Sequence, residues 1–152
     1  DRASCTFRAA NRWVDGAQEA VKLANDRGYY VFVVTNQAGV ARGFYGEEDV
    51  RSLHQWISAE LRERGAWVDD WRYCPFHTEA TIDAYRQAHP WRKPEPGMLL
   101  DLMEHWPVDR GRSLLIGDQP SDLAAGQAAG IRSEQFTGGN LHDFLSRQIG
   151  GA

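Results

Sequence analysis

The order of apolar patterns along these 152 residues predicts an α/β layered domain built on a mainly parallel sheet. Three features of the chain lead there. Tyr29–Thr35 (YYVFVVT) is β-branched or aromatic throughout and carries no charge, the mark of a strand buried on both faces. Ser113–Ile116 is a second such strand, and both runs stop abruptly in polar residues and glycine, TNQAG after the first and Gly117-Asp118 after the second. Between the strands lie segments whose apolar residues recur at helical spacing. In open α/β sheets ligands bind just past the carboxyl ends of the strands. Thr35, Asn36 and Gln37, with Arg42 close behind, are therefore candidates for lining a site, although TNQAG by itself reads equally well as a polar turn.

The elements follow in order. Residues 1–11 give little away and are expected to be irregular. Asp15 is expected to cap a helix whose apolar face is Ala17, Ala20, Val21, Leu23 and Ala24, and Gly28 to stop it before the strand Tyr29–Thr35. After a loop over Asn36–Gly46, Val50, Leu53, Ile57 and Leu61 mark a second helix that Gly65 closes. Trp71–Cys74 fits a short strand. Residues 75–96 form a long connection rich in Pro, His and charge, and connections longer than about 15 residues are usually functional or disordered. Met98–Trp106 is a third helix, and Ser113–Ile116 the second buried strand. Ser121 is expected to cap the small-residue helix LAAGQAA, which ends at Gly130. Ile131–Phe136 is a weaker strand and Asn140–Ile149 a last helix. No repeat or linker interrupts the pattern, so residues 1–152 read as one domain.

Composition narrows the function. Apolar residues are 42% and charged residues 25%, ordinary for a globular protein. No apolar run approaches the roughly 20 residues that cross a bilayer, so no membrane partner is expected. Net charge is −4 with no basic block, which argues against a nucleic-acid partner. Two cysteines, Cys5 and Cys74, are too few for a disulfide scaffold, and a reduced cytoplasmic setting is expected. The chain begins with Asp1 rather than Met, so targeting is left open. A monomer is expected.

Parallel strands bring their carboxyl ends together, so Thr35 and Asp118 are expected to share a crevice, with Arg92-Lys93-Pro94 beside it before a helix. A hydroxyl and an ammonium can hold phosphoryl oxygens, and a carboxylate can hold Mg²⁺. Asp122, one turn past Asp118, is placed to steady the ion or its waters. Taken singly, Lys93 reads as a solvated loop lysine, Asp118 as a turn residue, and Asp122 as an acid favoured by a helix start. Together they point to one phosphate site.

TNQAGVARG (35–43), RKPEPGM (92–98) and GDQPSDLAAG (117–126) resemble the second, third and fourth motifs of the haloacid dehalogenase superfamily, in its heptose-bisphosphate and histidinol-phosphate phosphatase group. The resemblance runs from Trp13-Val14-Asp15-Gly16 to about Phe136. It implies a Rossmann-like three-layer α/β/α fold without a large cap domain. It also implies Mg²⁺-dependent hydrolysis of a small phosphomonoester, a phosphorylated sugar such as a heptose bisphosphate, through an aspartyl-phosphate. On that resemblance Thr35 contacts the transferred phosphoryl group, Lys93 neutralises it and Asp118 binds Mg²⁺ with Asp122 behind it. Asn36, Gln37, Arg42 and Arg92 face the rest of the substrate. Gln119 stands where relatives often have lysine. Polynucleotide 3′-phosphatases share TNQ-x-G-x-x-RG and RKP, but the acidic balance argues against them.

Two departures matter. The family's first motif, Asp-x-Asp-Gly after an apolar strand, supplies the nucleophile and the general acid/base, and it is absent from the chain. Family spacing puts it within about ten residues upstream of Asp1. That strand lies mid-sheet in the resembled fold, so residues 1–152 alone are expected to leave its two neighbours unpaired. A non-catalytic phosphate-binding module is the alternative reading. Relatives also often carry a four-ligand zinc loop; here its places read Cys74, Phe76, His89 and Trp91, with His77 one place off the pattern. No zinc is expected, and apolar packing is expected to close the loop instead.

Overall fold

The computed structural model describes residues 1–8 and 14–150. Five parallel strands form one sheet: β1 (Ser4–Arg8), β2 (Tyr30–Asn36), β3 (Asp70–Cys74), β4 (Leu114–Gly117) and β5 (Arg132–Gln135), in the order β3-β2-β1-β4-β5. Among the described residues six α-helices accompany them: α1 (Ala17–Asp26), the short α2 (Ala38–Ala41), α3 (Glu47–Glu63), α4 (Gly97–His105), α5 (Pro120–Ala128) and α6 (Leu141–Ile149).

Strand alternation divides the core in two. Cys5 and Phe7 of β1, Val31 of β2, and Leu114 and Ile116 of β4 pack on one face with Ala20, Val21 and Ala24 of α1, Leu61 of α3 and Leu145 of α6. Phe32, Val34 and Leu115 point the other way, onto Met98, Leu99 and Leu102 of α4 and Ala125 of α5. Both faces are covered, as an all-parallel sheet requires. The result is the layered α/β/α architecture expected from the sequence.

The largest correction concerns the amino-terminal segment. Ser4–Arg8 is not irregular; it is the central strand. Ser4–Arg8 pairs with Tyr30–Val34 on one side and Cys5–Phe7 with Leu114–Ile116 on the other. The mid-sheet place expected to lie empty is filled. Strand propensity alone missed it because Ser4, Thr6 and Arg8 interrupt the apolar pattern, and only the covering helices bury the segment.

Smaller corrections concern helix starts. α1 starts after Gly16 (φ 77°), not Asp15, whose carbonyl instead accepts the Leu141 N–H at 2.8 Å. α5 starts at Pro120, where the Gln119 N–H donates to Asp122 Oδ2 at 3.0 Å; Ser121 already lies inside the helix. Trp13, where the family resemblance begins, lies outside the described residues.

Candidate active site

The strand order reverses at β1, which has β2 on one side and β4 on the other, and such a switch point is where α/β sheets bind ligands. The structure brings Thr35, Asn36, Lys93, Asp118 and Asp122 to it. Thr35 sits at the end of β2, buried, with its Oγ1 donating to the Asn36 carbonyl at 3.3 Å. The Asn36 side chain holds the Lys93 loop twice: its Oδ1 accepts the Lys93 N–H at 3.2 Å and its Nδ2 donates to the Lys93 carbonyl at 3.4 Å. Asn36 thus positions Lys93 within the site.

Lys93 is not a solvated loop lysine. Its residue is 5% exposed and its Nζ lies 2.5 Å from Asp122 Oδ1. Burial pulls the Lys93 ammonium below the ordinary lysine range, and the Asp122 carboxylate works against that shift. Asp122, 1% exposed, has its other oxygen on the Gln119 N–H. A side chain at Gly117 would run into Asp122, so this glycine makes room for the buried carboxylate.

A link absent from the sequence reading reaches Thr35 from behind. Tyr45 Oη donates to Gln37 Oε1 at 2.6 Å, and Gln37 Nε2 donates to Thr35 Oγ1 at 3.3 Å. Gly39 leaves the space in which the Tyr45 ring lies. Gln37, expected at the substrate, is buried and orients the Thr35 hydroxyl instead. The Arg42 side chain is exposed beyond α2, and Arg92 donates to the Phe76 carbonyl at 3.5 Å.

The magnesium reading meets a different arrangement. Arg8, at the carboxyl end of β1, puts Nη1 3.0 Å from Asp118 Oδ1 and Nε 3.8 Å from Asp122 Oδ2. Asp122 is already committed to Lys93 and to a backbone N–H. Among the described residues no group of three or more His, Cys, Asp or Glu is placed to hold a metal. Mg²⁺ requires near-octahedral oxygen ligation, and the two carboxylates here, Asp118 and Asp122, are already held by Arg8 and Lys93. This arrangement does not fit the ion.

At the zinc-loop positions, Phe76 stacks on His89 with centroids 4.5 Å apart and planes at 13°, and His89 meets Trp91 edge-on. Nδ1 of His89 accepts the Trp91 N–H at 3.1 Å. Cys74 is buried, and burial raises its thiol pKa. The loop is thus closed by an aromatic stack, beside a cavity of about 680 Å³ lined by Trp71, Tyr73, Phe76 and Trp91 among others.

A family model described as HAD-hydrolase-like matches residues 90–143. The chain is 52% identical over 138 residues to D-glycero-β-D-manno-heptose-1,7-bisphosphate 7-phosphatase of Rhodopseudomonas palustris, covering 91% of this chain and 77% of that protein. It is 41% identical over 119 residues to D-glycero-α-D-manno-heptose-1,7-bisphosphate 7-phosphatase of Burkholderia mallei, covering 78% of this chain and 63% of that one. Among solved structures, a HAD-like phosphatase from Mesorhizobium loti superposes with a TM-score of 0.81 at 28% identity, covering 97% of this chain and 86% of that one. The fold also matches D,D-heptose 1,7-bisphosphate phosphatase from B. bronchiseptica, solved with magnesium and phosphate, with a TM-score of 0.77 at 23% identity over 97% of this chain and 87% of that one. The chain belongs to the haloacid dehalogenase-like hydrolases, in the group of the heptose-1,7-bisphosphate 7-phosphatases.

Proposed function

We propose that the chain acts as a phosphohydrolase on a small phosphorylated sugar of the heptose-bisphosphate kind. The observation that carries this reading is the buried Lys93 ammonium, which lies with Thr35 at the switch point of the sheet. Lys93 neutralises a phosphoryl group there, and the Thr35 hydroxyl, held from behind by Gln37, turns its proton from the Asn36 carbonyl to it. Arg42 and Arg92 meet the rest of the sugar phosphate. Hydrolysis breaks the phosphorus–oxygen bond to the sugar, adds a water oxygen to phosphorus and returns a proton to the leaving alcohol. The names of the relatives favour the heptose substrate. The reading takes the protein as a cytoplasmic monomer; no helix among the described residues is long and apolar enough to cross a membrane.

The aspartyl-phosphate route implied by the resemblance needs a carboxylate at the end of the central strand, and Arg8 stands at the end of β1. That observation favours a second reading, a phosphate-ligand binding module. A phosphate-release screen of the full chain separates the two. It compares a heptose 1,7-bisphosphate, histidinol phosphate and a 3′-phosphorylated oligonucleotide. Release greatest from the heptose bisphosphate supports hydrolysis. Saturable binding of the sugar phosphate with no release selects the binding module, and preference for the oligonucleotide contradicts both.

A further inference from the structure

Arg8 belongs to no motif singled out in the sequence, yet it stands at the centre of the site. We propose that Arg8 is the resident cation of this pocket. Its guanidinium takes the place on Asp118 that a divalent ion would occupy, and the pocket receives a phosphate group with Arg8 and Lys93 and without metal. The proposal rests on the reading of this pocket as a phosphate site.

Position comes from the sheet. Arg8 is the last residue of the central strand, paired with Val34 and one residue beyond the Phe7–Ile116 pair, so its side chain emerges between the ends of β2 and β4. That place is set by ladder pairing on both sides of β1 rather than by a loop.

Charge follows from position. Two carboxylates, Asp118 and Asp122, meet two internal cations, Arg8 at 3.0 Å and Lys93 at 2.5 Å. No excess negative charge remains to offset the dehydration that Mg²⁺ resists, and a second cation beside the guanidinium is repelled.

Geometry leaves Arg8 able to do more than hold Asp118. Its side chain is 34% exposed and that of Asp118 is 46% exposed, so the pair faces the mouth of the site, whereas Lys93 and Asp122 lie beneath it. A guanidinium presents five N–H donors in a fork that matches phosphate oxygens. The contacts to Asp118 and Asp122 engage Nη1 and Nε. Among the described residues no other acceptor engages its remaining N–H groups, and the side chain faces solvent, where a ligand would enter.

The test titrates the full 152-residue chain with inorganic phosphate by calorimetry, once in EDTA and once in excess Mg²⁺. The expected result is the same affinity in both, within about twofold. Arg8→Gln should weaken binding in EDTA about tenfold or more, the range for a lost charge-assisted hydrogen bond, and should make the remaining binding Mg²⁺-dependent. Arg8→Lys, which keeps the charge and the strand end, covers the case in which the glutamine variant fails to fold; it should bind more weakly than wild type and equally with and without metal. Phosphate bound by the wild type only with Mg²⁺, or affinity unchanged in the folded variants, overturns the role of Arg8 and leaves the phosphate site standing. No binding in either buffer overturns the phosphate site, and the proposal with it.

Discussion

Lys93 shows how far a single residue could be read in advance and where the reading stopped. Its place before a helix and beside two strand ends was legible, because RKPEPGM sits between apolar runs that announce the sheet. Its burial was not, because that depends on Asp122 coming underneath it from α5 and on Asn36 gripping its backbone. The difference changes what mutation does. Removing one partner of a buried ion pair strands the other charge and costs about 3–5 kcal/mol. Lys93→Ala should therefore lower stability by that order as well as removing the proposed phosphate contact. Asp118→Asn, at a half-exposed carboxylate, should change stability by no more than about 1 kcal/mol. Urea denaturation of both variants checks this; equal, small losses would mean that Lys93 and Asp122 are not a buried pair. The Tyr45–Gln37–Thr35 link was out of reach of the sequence, since it needs the chain to turn back over Gly39.

At the scale of elements, α3 and β3 are joined through a histidine that titrates abnormally. His54 of α3 stacks on Trp71 of β3 with centroids 4.1 Å apart, and its buried Nε2 has no hydrogen-bond partner among the described residues. Burial pushes its pKa down from 6.5 to about 4. The sign of the effect follows. Below pH 6.5 the unfolded chain takes up a proton that the folded chain refuses until about pH 4, so stability falls on acidification across that window and is unaffected above it. His54→Phe keeps the stack and removes the proton site. Chemical denaturation at pH 7 and pH 5 should show a smaller loss in the variant than in the wild type. An equal loss in both would mean that other groups set the acid sensitivity. The helices themselves were legible from their apolar spacing, but their caps were less so. Gly16 and Gln119 stand at the starts where Asp15 and Ser121 were expected, because backbone conformation and the Asp122 carboxylate decide those ends.

For the whole molecule the decisive element is β1. The layered fold and the parallel sheet could be read from the alternation of patterns, and the switch point from the polar ends of β2 and β4. The central strand was not read from the sequence: Ser4–Arg8 alternates polar and apolar residues over only five positions, unlike the continuous apolar runs of β2 and β4, and its place is fixed by partners about 25 and 110 residues away. Thr6 pairs with Phe32 on one side and Leu115 on the other. Proline does not fit a central strand, so Thr6→Pro should strand a ladder partner at about 1–3 kcal/mol and clearly lower the melting temperature of a domain whose whole stability is about 5–15 kcal/mol. An unchanged melting temperature would remove β1 from the centre of the sheet. With β1 in place, the carboxyl ends of three strands converge at the switch point, where the phosphate site is proposed to lie. Amide NMR of the chain titrated with inorganic phosphate tests this most directly. The largest shifts should fall on Asn36, Lys93 and Gln119, around Thr35 and Asp118, while Trp71 and Phe76 beside the edge-strand cavity stay still. Shifts concentrated at Trp71 and Phe76, with the strand ends silent, would contradict it.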